Sequence, residues 1–308
     1  MKILLLGKNG QVGQALQRTL APLGELVALD RTHGSDGLCG DLGQPEALAT
    51  TIRQLRPDVI VNAAAYTAVD KAESEPEQAR LINANAPEVL AREAEALGAW
   101  LIHYSTDYVF NGSGTEPWQE TDVTAPLNVY GQSKLEGELR VQAACTRNLI
   151  FRTSWVYAAH GSNFAKTMLK LAQERERLTV INDQWGAPTG AELIAGVTAT
   201  AIQKVMVVKK TNQDALAGIY HLVAAGETNW HAYASHVIAQ AKLLRPDMPW
   251  AVQEIAPVPS SAFVTEAQRP HNSRLNTHKL QAAFGISLPN WQQGVDSMLA
   301  VVLEPKCV

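Results

Sequence analysis

The sequence predicts an α/β fold, a doubly wound parallel sheet followed by a smaller C-terminal lobe. Short apolar runs typical of buried strands alternate with helical segments through the first half of the 308-residue chain. The first apolar run ends at a glycine-rich turn that opens a helix. Strands that are separated by helices pair in parallel and are covered on both faces, so these features together indicate the doubly wound class.

The alternation is regular up to about residue 155. Helices are predicted over Gln11–Leu20 and Pro45–Leu55, and strands over 3–6, 26–29, 58–61, 100–104 and 149–152. We therefore expect a first domain over residues 1–155. Residues 156–308 are expected to form mainly a second lobe, with segments that return to the first domain; the predicted elements are helices over 163–174, 192–205 and 230–241 and a strand over 218–223.

Three local signals mark the ends of helices. Residues 74–77 have the form of a capping box, which predicts a helix start with Ser74 as its cap. Pro87 predicts a break or kink near Ala86, because proline has no amide hydrogen and restricts the residue before it. Gly98 predicts the end of the helix that follows.

Composition excludes several classes of protein. Hydrophobic residues make up 46% of the chain, which is enough for a large core. A net charge of −4 provides no basic field for a nucleic acid or an anionic membrane. Cys39, Cys145 and Cys307 are odd in number and far apart, which argues against a disulfide framework. No apolar run is long enough to span a membrane and 3–6 is too short for a signal-peptide core, so we expect a cytoplasmic protein.

A glycine-rich run, GKNGQVG at residues 7–13, follows the first strand directly. Gly7 permits a tight turn, Gly10 lets the backbone approach a pyrophosphate at the helix N-terminus, and Gly13 lets the helix pack close to the strand. An ordinary glycine turn is the alternative. The strand–turn–helix context favours a dinucleotide cofactor and makes residues 1–155 a dinucleotide-binding domain.

Acidic residues after the second strand bear on the kind of cofactor. A carboxylate at Asp30 would accept hydrogen bonds from the adenosine ribose and repel a 2′-phosphate, whereas the neighbouring Arg31 could receive that phosphate. A solvated turn residue is the alternative for Asp30. The pair predicts NADH with tolerance for NADPH. Further on, Asp41 and Leu42 could bracket the adenine or precede a helix as its cap.

The residues with the clearest chemical role are Tyr130 and Lys134. Positions i and i+4 share one face of a helix, and an ammonium there would lower the pKa of a phenol from its usual value of about 10. Thr106 follows the fourth strand, where its hydroxyl could polarise a carbonyl or simply cap a turn. The small residues 63–65 after the third strand leave room for a cofactor or merely pack closely.

Taken together, these residues resemble the extended short-chain dehydrogenase/reductase superfamily, which has a Rossmann-like fold, and within it the dTDP-4-dehydrorhamnose reductases. The resemblance extends from residue 1 to about residue 299. The stretches that carry it are 7–13, 59–66 (VIVNAAAY), 67–76 (TAVDKAESEP), 103–110 (HYSTDYVF), 126–134 (PLNVYGQSK), 151–157 (FRTSWVY), 182–189 (NDQWGAPT) and 269–275 (RPHNSRL).

The resemblance implies a role for each matching residue. It makes Tyr130 the general acid, Lys134 its partner and Thr106 the third member of the catalytic set. It places the sugar and the base against Asp107, Tyr108 and Trp155, although core packing is the alternative for Trp155. We expect Asn272 and Arg274, in a loop, to hold the diphosphate unless they form a surface turn. The implied cofactor contacts are Gly10, Gln11, Val12, Asp30, Asp41, Leu42, Ala63, Ala64, Ala65 and Tyr66.

A metal-bridged dimer is a further property of some members of this family, in which glutamates bind magnesium between two subunits. Glu192 matches one of those positions, but Ala15 and Gln292 stand where other ligands would be. The resemblance thus implies a homodimer, while the residues argue against a protein-bound magnesium.

The implied reaction is the NAD(P)H-dependent reduction of the 4-keto group of dTDP-4-dehydro-β-L-rhamnose to dTDP-β-L-rhamnose, in dTDP-rhamnose biosynthesis for cell-surface polysaccharide such as lipopolysaccharide. One rival is a nucleotide-sugar 4-epimerase or dehydratase on the same scaffold, which would retain its cofactor through turnover. A second rival is a non-catalytic regulatory subunit. The set Thr106, Tyr130 and Lys134 argues against that subunit, since a binding module needs no activated phenol.

Overall fold

The computed structural model describes residues 1–32, 37–207 and 214–304. Its main sheet has six strands, all parallel, in the order β10-β5-β4-β3-β1-β2. Those strands are β1 (Lys2–Leu6), β2 (Glu25–Leu29), β3 (Val59–Asn62), β4 (Trp100–Thr106), β5 (Asn148–Thr153) and β10 (Gly218–His221). The doubly wound sheet predicted from the sequence is therefore confirmed. Its sixth strand comes from the second half of the chain.

Helices cover both faces of this sheet. The side chains of β1 alternate, so that Ile3 and Leu5 lie in one core and Leu4 and Leu6 in the other. The first core is closed by α1 (Gln11–Leu20) and α8 (Ala191–Val207), and the second by α2 (Pro45–Leu55), α5 (Ala86–Leu97) and α6 (Val129–Ala144). Between α2 and α5 lie α3 (Val69–Ser74) and α4 (Pro76–Arg80).

A third core belongs to the C-terminal part of the chain. It is built by α7 (Phe164–Glu174), α9 (Trp230–Leu244) and α11 (Trp291–Val302), which pack around a parallel pair of strands, β7 (Arg177–Ile181) and β12 (Glu254–Val258). The remaining short elements are β6 (Val156–Tyr157), β8 (Trp185–Gly186), β9 (Thr189–Gly190), β11 (Thr228–Asn229) and α10 (His278–Phe284).

The expected capping box is wrong. Ser74 is the last residue of α3, and its hydroxyl donates to the Lys71 carbonyl (3.0 Å). Because Pro76 forces Glu75 out of the helical conformation (φ −127°, ψ 51°), α4 begins at Pro76. The box would need the helix to begin one residue earlier.

The irregularity expected at Pro87 takes the form of a wide turn. Residues Leu81–Asn85 are π-helical and lead without interruption into α5. A proline ring collides with the carbonyl four residues earlier, here that of Asn83, and a widened turn relieves this contact. The helix stop at Gly98 is confirmed, because Gly98 adopts the left-handed conformation (φ 67°).

Two observations concern the expectations from composition. Cys39 and Cys145 are free and buried, and Cys307 lies outside the described residues. Within ranges 1–32, 37–207 and 214–304, no helix combines the length and the apolar character needed to cross a membrane.

A buried ion pair fastens α6 to the sheet. Arg152, near the end of β5, donates to both carboxylate oxygens of Glu138 on α6 (2.9 and 2.7 Å). Both side chains are at most 3% exposed, and the guanidinium lies 5.0 Å from the ring centroid of Phe110. The bidentate geometry fixes both the distance and the rotation of α6 relative to β5.

Removal of Arg152 alone should therefore lower the free energy of unfolding far more than removal of both Arg152 and Glu138. We expect Arg152→Met to lower the free energy of unfolding by about 3–5 kcal/mol, since it leaves the Glu138 carboxylate buried without a partner. Arg152→Met combined with Glu138→Leu should recover most of that loss. Urea unfolding of the three proteins measures this, and a double variant as unstable as the single one would contradict the argument.

Candidate active site

The first turn of α6 brings Tyr130 to the carboxyl end of the sheet. Asn128 caps the helix, accepting from the Gly131 amide (2.8 Å) while its own amide donates to the Gln268 carbonyl (2.7 Å). A side chain at residue 131 is impossible, since a Cβ there would lie 2.3 Å from the Tyr108 carbonyl oxygen. The start of α6 therefore sits directly against the chain that leaves β4.

Thr106 ends β4 beside the phenol of Tyr130. Its hydroxyl accepts from the Tyr108 amide (3.2 Å) and donates to Asp107 Oδ1 (3.2 Å). Burial raises the pKa of Tyr130 to about 12, and a hydrogen bond with Thr106 opposes that rise. At neutral pH the phenol is therefore protonated, the form that can donate a proton.

Lys134 lies one turn further along α6 and is 2% exposed. Its Nζ atom donates to the Tyr104 carbonyl (2.6 Å) and lies 3.4 Å from His103 Nε2. Burial lowers the pKa of Lys134 to about 8, and Glu138 opposes this shift. The expectation that Lys134 lowers the phenol pKa is wrong for the structure as it stands, because the pKa of Tyr130 is raised by burial and Lys134 is directed to β4.

Asp107 is the second ionisable group beside the phenol. It is 2% exposed, and burial raises its pKa to about 7, against hydrogen bonds from Ser273 and Thr106. Its Oδ2 atom has no partner within the described part of the chain. A buried carboxylate oxygen without a donor is suited to a hydroxyl of a bound ligand.

The glycine turn behaves as the sequence predicts. Gly7 has φ +84°, and a Cβ there would lie 2.7 Å from the Ala64 nitrogen; a Cβ at Gly13 would lie 2.0 Å from the Gly7 carbonyl oxygen. At Gly10 the nearest atom would be at 3.4 Å, so protein packing alone does not require glycine. Glycine at residue 10 leaves room instead for a ligand at the N-terminus of α1, beside Gln11 and Val12.

Asp30 lies beside this turn at the end of β2. Its carboxylate accepts from Asn9 Nδ2 (2.6 Å) and from the amide and hydroxyl of Thr32, and it lies 3.6 Å from Lys8 Nζ. The hydrogen bonds from Thr32 are the main cause that lowers the pKa of Asp30 to about 2. Asp30 is therefore ionised, and the exposed Arg31 follows it.

Asp41 forms a turn ahead of α2. Its Oδ1 accepts from the Gly43 amide (2.9 Å), while Gln44 occupies the position before the helix. Leu42 is buried in the sheet core. A Cβ at Gly40 would lie 2.5 Å from the Asp30 carbonyl oxygen, so this turn and Asp30 flank the same edge of the sheet.

The segment Ala63–Tyr66 lies between the glycine turn and α6 and is linked to both. Gly7 touches its backbone at Ala64. The Tyr66 amide donates to Asn83 Oδ1 (2.9 Å), and Asn83 Nδ2 donates to Ser133 Oγ on α6 (3.0 Å). Sequence reasoning missed Asn83, and the only signal was its place just before Pro87, where the helix widens.

Trp155 forms an aromatic stack. Its ring lies 3.8 Å from that of Trp230 at an angle of 20°, and its backbone has φ +48°, which is unusual for a residue with a side chain. A Cβ at Gly186 would lie 2.9 Å from the Trp155 ring. Trp155 is partly exposed, and its role as a platform stays a prediction.

A cleft of about 390 Å³ lies next to this stack, since Phe164 and Gln184 on its wall contact Trp230. Arg269 joins it to the catalytic end, since it pairs with Asp70 (2.6 Å) and its charge acts on Tyr108. The cleft is lined by Phe164, Met168, Thr179, Val180, Ile181, Gln184, Ser260, Phe263, Thr265, Gln268, Arg269 and His271. Most of these residues carried no motif that could have identified them.

Asn272 and Arg274, both predicted to hold the diphosphate, lie in different surroundings. Asn272 is 1% exposed, and its amide donates to the carbonyls of Ser113 and Glu116 (3.3 and 2.8 Å). With those donors in use, Asn272 organises the loop, and its expected contact with a diphosphate is wrong. Arg274 pairs with Glu227 (2.6 Å) and lies over Trp185.

Glu192, Ala15 and Gln292, the positions considered for magnesium, do not form a group of metal ligands within the described part of this chain. Glu192 pairs with Arg18, Ala15 is buried and Gln292 is exposed. No group of three or more candidate ligands occurs among the described residues.

The parallel sheet, the glycine turn and the Tyr130–Lys134 pair define an extended short-chain dehydrogenase/reductase. The chain belongs to the family described as "RmlD substrate binding domain", whose model matches residues 1–304. It is 59% identical over 299 residues to the dTDP-4-dehydrorhamnose reductase of Escherichia coli K12, with 97% of each chain covered. The enzyme of the same name from Burkholderia thailandensis is 47% identical over 295 residues, with 96% of this chain and 97% of that one covered.

Solved structures agree with this assignment. A dTDP-4-dehydrorhamnose reductase from Clostridium acetobutylicum has a TM-score of 0.85 at 32% identity and covers 98% of this chain and 99% of its own. The enzyme from Bacillus anthracis, solved in complex with NADP, has a TM-score of 0.82 at 32% identity, with 96% and 98% covered. A UDP-glucose 4-epimerase from Thermus thermophilus, at 18% identity and a TM-score of 0.75, shares the fold.

The glycine turn gives a test in a matched pair. We expect Gly13→Ala to lower the free energy of unfolding by about 3 kcal/mol or more, because the added methyl overlaps the Gly7 carbonyl. Gly10→Ala should change it by less than about 1 kcal/mol, since its backbone suits any residue. Urea unfolding measures both, and equal losses would contradict the distinction.

Proposed function

We propose that this chain is an NAD(P)H-dependent oxidoreductase that reduces the 4-keto group of dTDP-4-dehydro-β-L-rhamnose to dTDP-β-L-rhamnose. The observation that carries the proposal is the meeting of Tyr130 and Thr106 at the carboxyl end of β4, with Lys134 buried behind them. Family membership supports the reaction and the biosynthetic role, since the relatives with the same architecture carry that enzyme's name.

The cofactor fits the edge of the sheet between the glycine turn and α6. The free amides at Gln11 and Val12 would hold the diphosphate, Asp30 and Arg31 the adenosine ribose, and Ala63–Tyr66 would flank the remainder. The turn at Asp41 and Leu42 lies on the adenosine side. When bound, the reduced nicotinamide supplies the hydride.

The chain's own contribution is proton transfer and positioning. Tyr130 donates its phenolic proton to the oxygen that becomes an alkoxide, and the Thr106 hydroxyl, turned from Asp107 Oδ1 to that oxygen, donates a hydrogen bond to it. Lys134 would hold the nicotinamide ribose, and its ammonium, once drawn toward a bound cofactor, would offset the negative charge left on Tyr130. A phenol whose pKa is about 12 stays protonated until the alkoxide, which is a stronger base, is formed.

The nucleotide end of the substrate fits the cleft. Arg269 and His271 bring two basic groups to its wall, which suits a diphosphate, and Phe164 and Phe263 bring aromatic faces for a base. Trp155 stacks on Trp230, which contacts the cleft residue Phe164, and its ring would support the sugar there. Asp107 and Tyr108 complete the sugar site, and Arg274, which pairs with Glu227 and lies over Trp185, would be a further cation for the diphosphate.

The proposal also covers the domain organisation, the cellular compartment and the oligomeric state. Residues 1–155, with the returning strand β10, bind the cofactor, and most of residues 156–304 bind the substrate. The enzyme works in the cytoplasm as a homodimer that does not require a bound magnesium. These parts rest on composition and on the resemblance to the family.

The decisive test is an assay of the purified protein with dTDP-4-dehydro-β-L-rhamnose. We expect one equivalent of NADPH or NADH to be oxidised for each equivalent of dTDP-β-L-rhamnose formed, followed by cofactor absorbance and product chromatography. Turnover of a 4-epimeric sugar nucleotide without net cofactor consumption would favour the rival epimerase instead.

Tyr130→Phe tests the proton donor. It removes only the hydroxyl, so we expect folding and cofactor binding to persist while kcat falls by about 10²- to 10⁴-fold, the range of general acid catalysis. Tyr220→Phe, which removes a phenolic hydroxyl that donates to the Leu216 carbonyl from β10, controls for the loss of a tyrosine hydroxyl as such. A Tyr130→Phe protein that keeps more than about a third of kcat, with chemistry rate-limiting, would show that Tyr130 is not the acid.

Asp30→Ala tests the cofactor assignment. Removal of the carboxylate should raise the NADPH/NADH ratio of kcat/KM by roughly tenfold, equivalent to about 1.4 kcal/mol, because the 2′-phosphate is no longer repelled. Arg31→Ala should lower the same ratio. Steady-state kinetics with both cofactors measure this ratio. An unchanged ratio in Asp30→Ala would show that the adenosine ribose does not lie beside Asp30.

A further inference from the structure

A chain of buried polar contacts, which the proposed mechanism does not use, runs behind Lys134. The Ala64 amide donates to Asn62 Oδ1 (3.2 Å), and Asn62 Nδ2 lies 3.1 Å from His103 Nδ1. The other ring nitrogen of His103 lies 3.4 Å from Lys134 Nζ. Asn62 and His103 are each 1% exposed, so this chain connects the cofactor segment to the lysine inside the protein.

The direction of each hydrogen bond follows from the Ala64 amide. A backbone N–H can only donate, so the oxygen of Asn62 must face Ala64 and its NH₂ group must face His103. The nitrogen of His103 on that side is then the acceptor. Burial holds the pKa of His103 well below its usual range, so the ring is neutral and carries its single proton on Nε2.

This tautomer determines which group of His103 faces Lys134. The Nε2–H group of His103 points toward Lys134 Nζ, and an ammonium has three donors and no acceptor. The contact is a hydrogen bond only when Lys134 is a neutral amine whose lone pair accepts from His103. The Tyr104 carbonyl, at 2.6 Å, accepts from either form of the lysine and therefore fixes its position without favouring its charge as strongly as a carboxylate would.

We propose that His103 is a positioning residue that holds the amine of Lys134 against the Tyr104 carbonyl and opposes its protonation, so that binding of the anionic cofactor draws a proton from solvent onto Lys134. The proposal rests on the cofactor role given to Lys134 above. The proton goes to the Nζ lone pair, which releases the contact with His103 and frees a donor for the ribose.

The other charged groups around Lys134 do not remove this effect. Glu138, one turn further along α6, favours the ammonium, but its carboxylate is held by Arg152 of β5. Tyr130, on the same helix, is neutral, and Asp107 after β4 acts on Tyr130. Since burial lowers the pKa of Lys134 to about 8, its change of charge falls within a range that binding experiments can reach.

The test is the dissociation constant of NADPH, measured by fluorescence titration from about pH 6 to about pH 10, on both sides of the lysine pKa. In the unmodified enzyme we expect binding to weaken as the pH rises through that pKa. In His103→Gln the amide oxygen can accept from the ammonium, so the weakening should begin about one pH unit higher, the effect of one gained hydrogen bond. A curve that is unchanged, or that moves to lower pH, would overturn the proposal.

Asn62→Asp tests the same series of hydrogen bonds at a residue that does not contact Lys134 itself. A carboxylate still accepts from Ala64 but cannot donate to His103, so the ring proton must move to Nδ1 and Nε2 becomes an acceptor for Lys134. The shift should have the same direction as in His103→Gln, and the two substitutions together should give less than the sum of the separate shifts. Full additivity would show that the two residues act independently and would overturn the proposed chain.

The controls separate this proposal from the proposed function. His221 on β10 is also buried, and His221→Gln should leave the pH dependence of binding unchanged. Lys134→Met should weaken NADPH binding near neutrality and abolish its pH dependence. If Lys134→Met binds NADPH normally, the cofactor role of Lys134 fails; if Lys134→Met behaves as expected but His103→Gln does not shift the curve, only the role of His103 fails.

Discussion

The placement of α6 against the carboxyl ends of β4 and β5 is the constraint on which the site depends. The buried pair between Glu138 and Arg152 holds the middle of the helix, and the Asn128 cap holds its start. Between these two fixed points, Tyr130 and Lys134 have one position each. A helix held at only one end could rotate, and a shift of about 1 Å at the phenol costs about 10²-fold in rate.

The same burial that fixes the helix also sets its chemistry. Removal of Tyr130 and Lys134 from water raises the pKa of the phenol and lowers that of the lysine, because each neutral form is favoured. For a reaction that delivers a proton to an alkoxide, a protonated phenol is the useful form. The charge on Lys134 is needed only once a cofactor is present, and burial brings the pKa at which the lysine loses that charge down to about 8.

The N-terminal half of the fold could be predicted from the sequence because its signals are local. The helices Gln11–Leu20 and Pro45–Leu55 begin and end where their patterns do, and the turn at Gly7 requires glycine for steric reasons close at hand. The capping box at Ser74 failed because a proline two residues later controls the backbone more strongly than a side-chain cap does.

The rest of the site could not be predicted, because its contacts join distant parts of the chain. Nothing near Asn272 indicates that its amide is used by carbonyls more than 150 residues earlier. His103 has an apolar strand context that is typical of a core histidine, which it is, and only the tertiary fold brings it to Lys134. Motifs identify residues that need a particular side chain, whereas partners fixed by tertiary packing leave no pattern in the sequence.

The two walls of the site are built differently, and this separates the chemistry from the choice of substrate. The proton donor and the cofactor segment lie on strand ends and helix starts of one rigid sheet. The opposite wall combines residues of α7 and β7 with a loop, and that loop is fastened to the first wall by a few polar contacts, such as Arg269 with Asp70 and Gln268 with Asn128. Because loops accept substitution more readily than strand ends do, that wall can change its ligand while Tyr130 keeps its geometry. A distant epimerase can therefore share this fold at 18% identity, since the sheet does not specify what the loop wall binds.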